Sequence, residues 1–203
     1  AIKKGYAIEL DVRLTKDNHV IVFHDKNLKR MTGFDSDVNM TTLEQIKTLT
    51  LLETSATIPE LVEALEFING SVPILLEIKS SGLSHNLDKL VYSVIKEYEG
   101  SIAVQSFNPL SIRWFAKNAP SIARGILLRG NLKYAIANRF KDNLHMLFSK
   151  PNFVAYKYEN LVKTDFSQLR KDGLIVLGWT VGENMLNTRE FTAHCDNIIL
   201  EAE

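Results

Sequence analysis

Apolar positions recur with two periods along this chain. Short runs rich in Val and Ile predict strands at Ala7–Val12, Val20–His24, Pro73–Ile78, Ile102–Ser106, Ala123–Leu128, Phe153–Tyr156, Leu174–Trp179 and Asn197–Leu200. Between them the apolar residues fall at helical spacing, most fully at Leu87, Leu90, Val91, Val94, Ile95 and Tyr98. A second helix has Pro59 just inside its start and Gly70 just past its end. A third follows Pro109 and turns Trp114 and Phe115 toward the core. Strand–helix alternation of this kind implies a parallel sheet with helices outside it, open or closed as a barrel.

One pair breaks the alternation. Only seven residues separate Val12 from Val20, whereas a parallel crossover needs a dozen or more. Lys16-Asp17-Asn18 is a turn sequence, so these two runs form an antiparallel hairpin. A two-residue Asp17-Asn18 turn would set Asp11 directly opposite His24. Without the return strand, seven strands remain for the parallel sheet, one short of a (β/α)8 barrel. No low-complexity or Pro/Gly-rich stretch interrupts residues 1–203, which are therefore expected to form a single domain.

Composition removes several function classes. The 203 residues suffice for one sizeable core. Lys plus Arg and Asp plus Glu are 24 each, so bulk electrostatic binding of nucleic acid or an anionic membrane is not expected. A lone cysteine, Cys195, excludes an intrachain disulfide and a cysteine-based zinc site. No apolar run approaches the ~18 residues of a membrane span. Ala1–Tyr6 has neither a signal-peptide pattern nor an initiating Met and reads like the tail of a helix cut from something longer. We expect a cytoplasmic location.

The chemistry gathers at strand ends. Glu9 and Asp11 share one face of the first strand, and Glu77 and Lys79 share one face of the third. His24 ends the hairpin's return strand. Carboxylates converging in a confined pocket need a compensating cation. An oxygen-only donor set favours Ca²⁺ or Mg²⁺. His24 beside such a site suits proton transfer, and Lys79 suits an anionic oxygen. Together they fit a phosphate ester as substrate. Each also has a plainer reading: a solvated Glu-x-Asp face, a same-face ion pair, a hydrogen-bonded strand-end histidine, a core Trp179. The other histidines, His19, His85, His145 and His194, receive no role.

The stretch from Ile8 to Asp17 (Ile-Glu-Leu-Asp-Val-Arg-Leu-Thr-Lys-Asp), followed by Val22-Phe23-His24-Asp25, resembles the glycerophosphodiester phosphodiesterase family. Thr41-Thr42-Leu43-Glu44, Ile58-Pro59-Glu60-Leu61, Leu76-Glu77-Ile78-Lys79, Gln105-Ser106-Phe107 and Gly178-Trp179-Thr180-Val181 extend the likeness over nearly the whole chain. The resemblance implies a (β/α)8 TIM barrel that hydrolyses glycerophosphodiesters to glycerol 3-phosphate and an alcohol. It implies one divalent cation, Ca²⁺ or Mg²⁺, on Glu9, Asp11 and Glu77. It further implies His24 as one of two catalytic histidines, Lys79 on the substrate phosphate, and Trp179 near the pocket.

Two departures accompany it. Members of the family open with a strand ending in His-Arg-Gly, and neither that strand nor its histidine occurs in these residues, so a preceding segment is expected. Where the family shows Thr-Asp after paired isoleucines, Ile198-Ile199 here leads to Leu200-Glu201. A seven-stranded wall standing alone would also expose two strand edges. A sphingomyelinase D-like phospholipase and a non-catalytic binding barrel are the alternatives.

Overall fold

A computed structural model describes residues 1–129, 148–161, 163, 166–171, 173–182 and 194–201. The chain divides into two compact units, Ala1–Val104 and Gln105–Glu203.

In the first unit β1 (Ile8–Leu14) lies between β2 (Val20–Val22) and β3 (Ile74–Ile78); β4 (Ile102–Ser106) follows β3, and the division between the units falls within it. β1 pairs antiparallel with β2 and parallel with β3, Asp11 standing beside Glu77 in the parallel register. The hairpin is the one expected, but its register is shifted by one residue. Val12 faces Val22, and the Phe23 amide donates to the Asp11 carbonyl at 2.9 Å, so Phe23 stands opposite Asp11, not His24. The loop explains the shift. It has three residues, closed by Thr15 N–H donating to His19 O, with Asn18 left-handed at φ 67°. A left-handed third residue is the usual way to close such a loop, and Asn tolerates it.

Asp17 ties this loop down. Its carboxylate accepts from the Thr15 hydroxyl and from the Leu43 amide, which opens α2 (Leu43–Lys47). Thr42 caps that helix in a reciprocal box with Gln45. Before it lies α1 (Lys29–Thr32). Beyond it α3 (Leu61–Ile68) starts after Glu60, so Pro59 precedes the helix cap and does not sit inside the first turn. Pro59 instead lends its carbonyl to the Val22 amide, and Ile21 bridges Glu60, covering the outer edge of β2. α4 (Asn86–Ile95) ends before Tyr98, whose hydroxyl accepts from the Gly70 amide. Ile21, Phe23, Leu28, Val38, Ile46 and Ile58 form one buried cluster beneath the hairpin.

In the second unit α5 (Pro109–Asn118) begins with Pro109 in its first turn and Asn108 as cap. Phe115 is fully buried, whereas Trp114 is only half-buried. Strands β5 (Ala123–Leu128), β6 (Phe153–Lys157), β7 (Ile175–Gly182) and β8 (Asn197–Glu201) follow in order and pair parallel. Tyr156, Leu161, Val176 and Val181 pack with Ile112, Ile126 and Cys195 in its core. Parallel strands joined through helices, with one antiparallel hairpin, are the pattern of the (β/α)8 class.

Candidate active site

The carboxylates predicted to converge do so. The parallel register of β1 and β3 brings Glu9, Asp11 and Glu77 together, with one oxygen from each within 4.8 Å of the others. Lys79 follows β3, its amide extending the ladder to the Val12 carbonyl. Its ammonium lies 2.8 Å from Asp11 Oδ1 and 2.5 Å from Glu77 Oε1. The second contact has the distance of an ion pair without the direction of a hydrogen bond, so Oε1 gains charge balance but no aligned donor. Glu77 is 7% exposed. Burial pushes its pKa up, and Lys79 counters only part of that rise.

One ammonium cannot balance three carboxylates. The donors are all hard oxygens, they converge, and a positive group already sits between two of them. This set fits a Ca²⁺- or Mg²⁺-type cation.

His24 lies just beyond β2, its ring exposed, with Nδ1 2.7 Å from Asp25 Oδ1. Arg30 of α1 holds the same carboxylate through two contacts, Nε to Oδ2 at 2.5 Å and Nη2 to Oδ1 at 3.1 Å. Hydrogen bonds from Arg30 and then His24 hold Asp25 down at about 2. An ionised carboxylate only accepts, so Nδ1 carries the proton in this contact. The main chain of His24 is held as well. Arg13 donates from Nε (3.0 Å) and Nη2 (2.8 Å) to the His24 carbonyl.

Trp179 lies on β7 in the second unit. It meets Phe107 edge to face at 5.6 Å and 82°, and the Arg129 guanidinium stands 4.2 Å from the Phe107 ring and 5.7 Å from Trp179. Its indole Nε1 is buried without a hydrogen-bond partner among the described residues. Phe107 and Arg129 directly follow β4 and β5, at the strand ends where barrel enzymes of this class build their sites, and Trp179 lies within β7.

Asp25, Arg30 and Arg13 were not singled out from the sequence. Asp25 could have been, because a carboxylate adjoining a strand-end histidine is a standard ring partner. The arginines carry no such signal, since their partners become apparent only once the hairpin and α1 are folded.

Comparison with known proteins identifies the class. A family profile described as the glycerophosphoryl diester phosphodiesterase family matches residues 1–201, and the chain belongs to that family of phosphoric diester hydrolases. A glycerophosphodiester phosphodiesterase of Caldanaerobacter subterraneus subsp. tengcongensis is 30% identical over 96% of this chain and 81% of its own length. Among solved structures, a phosphodiesterase of Oleispira antarctica in complex with the product sn-glycerol-3-phosphate aligns over 98% of this chain and 83% of that chain, with a TM-score of 0.83 at 24% identity. A glycerophosphodiester phosphodiesterase from Thermotoga maritima covers 95% of this chain and 80% of that chain, at TM-score 0.75 and 24% identity. These alignments establish the (β/α)8 fold class. No helix among the described residues is long and apolar enough to cross a membrane.

Proposed function

We propose that this protein hydrolyses glycerophosphodiesters to glycerol 3-phosphate and an alcohol, using one divalent cation held by Glu9, Asp11 and Glu77. The observation that carries this reading is the convergence of those three carboxylates within 4.8 Å, with Lys79 beside two of them. When bound, Ca²⁺ or Mg²⁺ would supply neutralisation of the phosphodiester's charge. Lys79 binds a non-bridging phosphate oxygen as a point charge, giving up a carboxylate contact as it does so. His24 transfers a proton at Nε2, its ring held in the Nδ1–H tautomer by Asp25. Within the second unit Trp179 forms a ring surface with Phe107 and Arg129, and the family resemblance assigns Trp179 to the substrate.

The test is turnover of sn-glycero-3-phosphocholine, read as glycerol 3-phosphate released. Chelator should abolish it and added Ca²⁺ or Mg²⁺ restore it, with Glu77→Gln unresponsive to either ion. Turnover that survives exhaustive chelation would remove the cation from the reaction. Release of phosphocholine in place of glycerol 3-phosphate would assign cleavage to the wrong ester bond.

A further inference from the structure

We propose that Arg13 is a positioning residue for His24, acting through the histidine's main-chain oxygen. The inference rests on the role given above to His24, and its geometry lies wholly within the first compact unit.

The hairpin stops short of the histidine. Val22 ends β2, and the last rung joins the Phe23 amide to the Asp11 carbonyl. His24 therefore starts a segment that the sheet no longer holds. A carbonyl in that position swings with the chain unless another donor fixes it. Arg13 provides two donors from one edge of its guanidinium, at 3.0 and 2.8 Å. The planar fork fixes direction as well as distance, which a lysine with its rotating ammonium cannot do.

Arg13 itself is well placed for this. It lies two residues beyond Asp11 on β1, on the face that strand alternation also gives to Glu9 and Asp11. Ile21 of β2 stands opposite it in the ladder. Its half-buried guanidinium feels the charges of Asp11, Glu77, Asp25 and Asp37. The strand that carries two of the carboxylates thus also grips the backbone of the proton-transfer residue. The ring is fixed separately, from α1, through Arg30 and Asp25. Two arginines on two elements hold one histidine, one by its backbone and one by its ring.

A double-mutant cycle tests this with Arg13→Gln, Arg13→Lys, His24→Ala and the Arg13→Gln/His24→Ala pair, each checked for folding by thermal melt. Arg13→Gln should lower kcat about 10-fold or more, within the ~10²–10⁴-fold that a placed acid–base contributes. KM should hold, as should Mg²⁺ affinity by calorimetry on the metal alone. Arg13→Lys should recover part of the loss, and it replaces Arg13→Gln in the cycle if the latter fails to fold. In the His24→Ala background, loss of Arg13 should cost no further turnover. Unchanged kcat in Arg13→Gln, or an equal loss with and without His24, would overturn the proposal. Failure of the phosphodiesterase reading is a separate result, seen as a wild-type protein without turnover or a His24→Ala variant that keeps it. The proposal is then decided by the His24 ring ¹⁵N resonances. Arg13→Gln should broaden the ring resonances as the main chain loosens while Asp25 still favours the Nδ1–H tautomer, and an unaltered spectrum would refute it.

Discussion

Asp25 and Glu77 are carboxylates pushed in opposite directions, and each makes a prediction of its own sign. Asp25, held at about 2 by Arg30 and His24, lies below its ordinary value. Its contribution to stability is therefore present above about pH 4 and is lost as pH falls toward about 2. Asp25→Asn should flatten that part of an acid-unfolding curve and lower kcat, because the amide leaves the His24 tautomer unfixed. A variant with the wild-type acid limb would show that the Arg30 contacts contribute nothing to folding. Glu77 lies above its ordinary value because burial disfavours its charge. The folded state binds the extra proton, so stability falls as pH rises through the window between the ordinary and the raised value. Metal-free Glu77→Gln should therefore melt higher than wild type at neutral pH while losing divalent-ion binding. A lower melting point would mean that the Lys79 ion pair outweighs the burial cost. Strand alternation paired Glu9 with Asp11 and Glu77 with Lys79, while the meeting of the two pairs followed from the strand-end rule for barrel sites and from the family resemblance. Arg13 was not legible, because a side chain bonded to a backbone oxygen eleven residues away leaves no periodic trace.

The hairpin joining β1 to β2 shows where element-scale reading succeeds and where it stops. Its existence followed from a linker too short for a crossover. Its register did not, because Lys16-Asp17-Asn18 is compatible with a two- or a three-residue loop, and the two differ by one rung. What selects the longer loop is Asn18 at φ 67° together with Asp17 reaching the amide of Leu43, a tertiary bond that local propensity cannot reveal. Asn18→Val should cost about 1–2 kcal/mol in denaturant unfolding, since a β-branched residue resists the left-handed region. Asn18→Gly, which loses only the bond from Asn86, should stay within about 1 kcal/mol. Equal stability of the two variants would show that the loop relaxes without strain. The starts of α3 and α5 make a similar contrast. Pro109 occupies the first turn of its helix, whereas Pro59 serves the edge of β2. A proline marks a helix start in both, but only the folded neighbour decides on which side of the cap it stands.

Across the molecule, an ion bound by the folded site but not by the unfolded chain must raise the melting temperature. At about 100 times Kd the stabilisation is roughly 2.7 kcal/mol. Ca²⁺ or Mg²⁺ should shift the thermal midpoint upward, chelator should reverse the shift, and Glu9→Gln should abolish it. The same shift in Glu9→Gln would place the ion elsewhere. The fold class was legible from alternation because parallel strands and their helices write two distinct periods into the chain. The pairing of β1 with β3 has a consequence in time as well as in space. On the ribosome Glu9 and Asp11 emerge before their partner Glu77, which follows only after the hairpin, three helices and their loops. No local intermediate can assemble the three carboxylates, because the sheet must first close β3 onto β1. Any ion held by the three carboxylates can therefore be captured only once β3 has docked, and it would act afterwards as a brake on unfolding, leaving the early steps of folding indifferent to the metal.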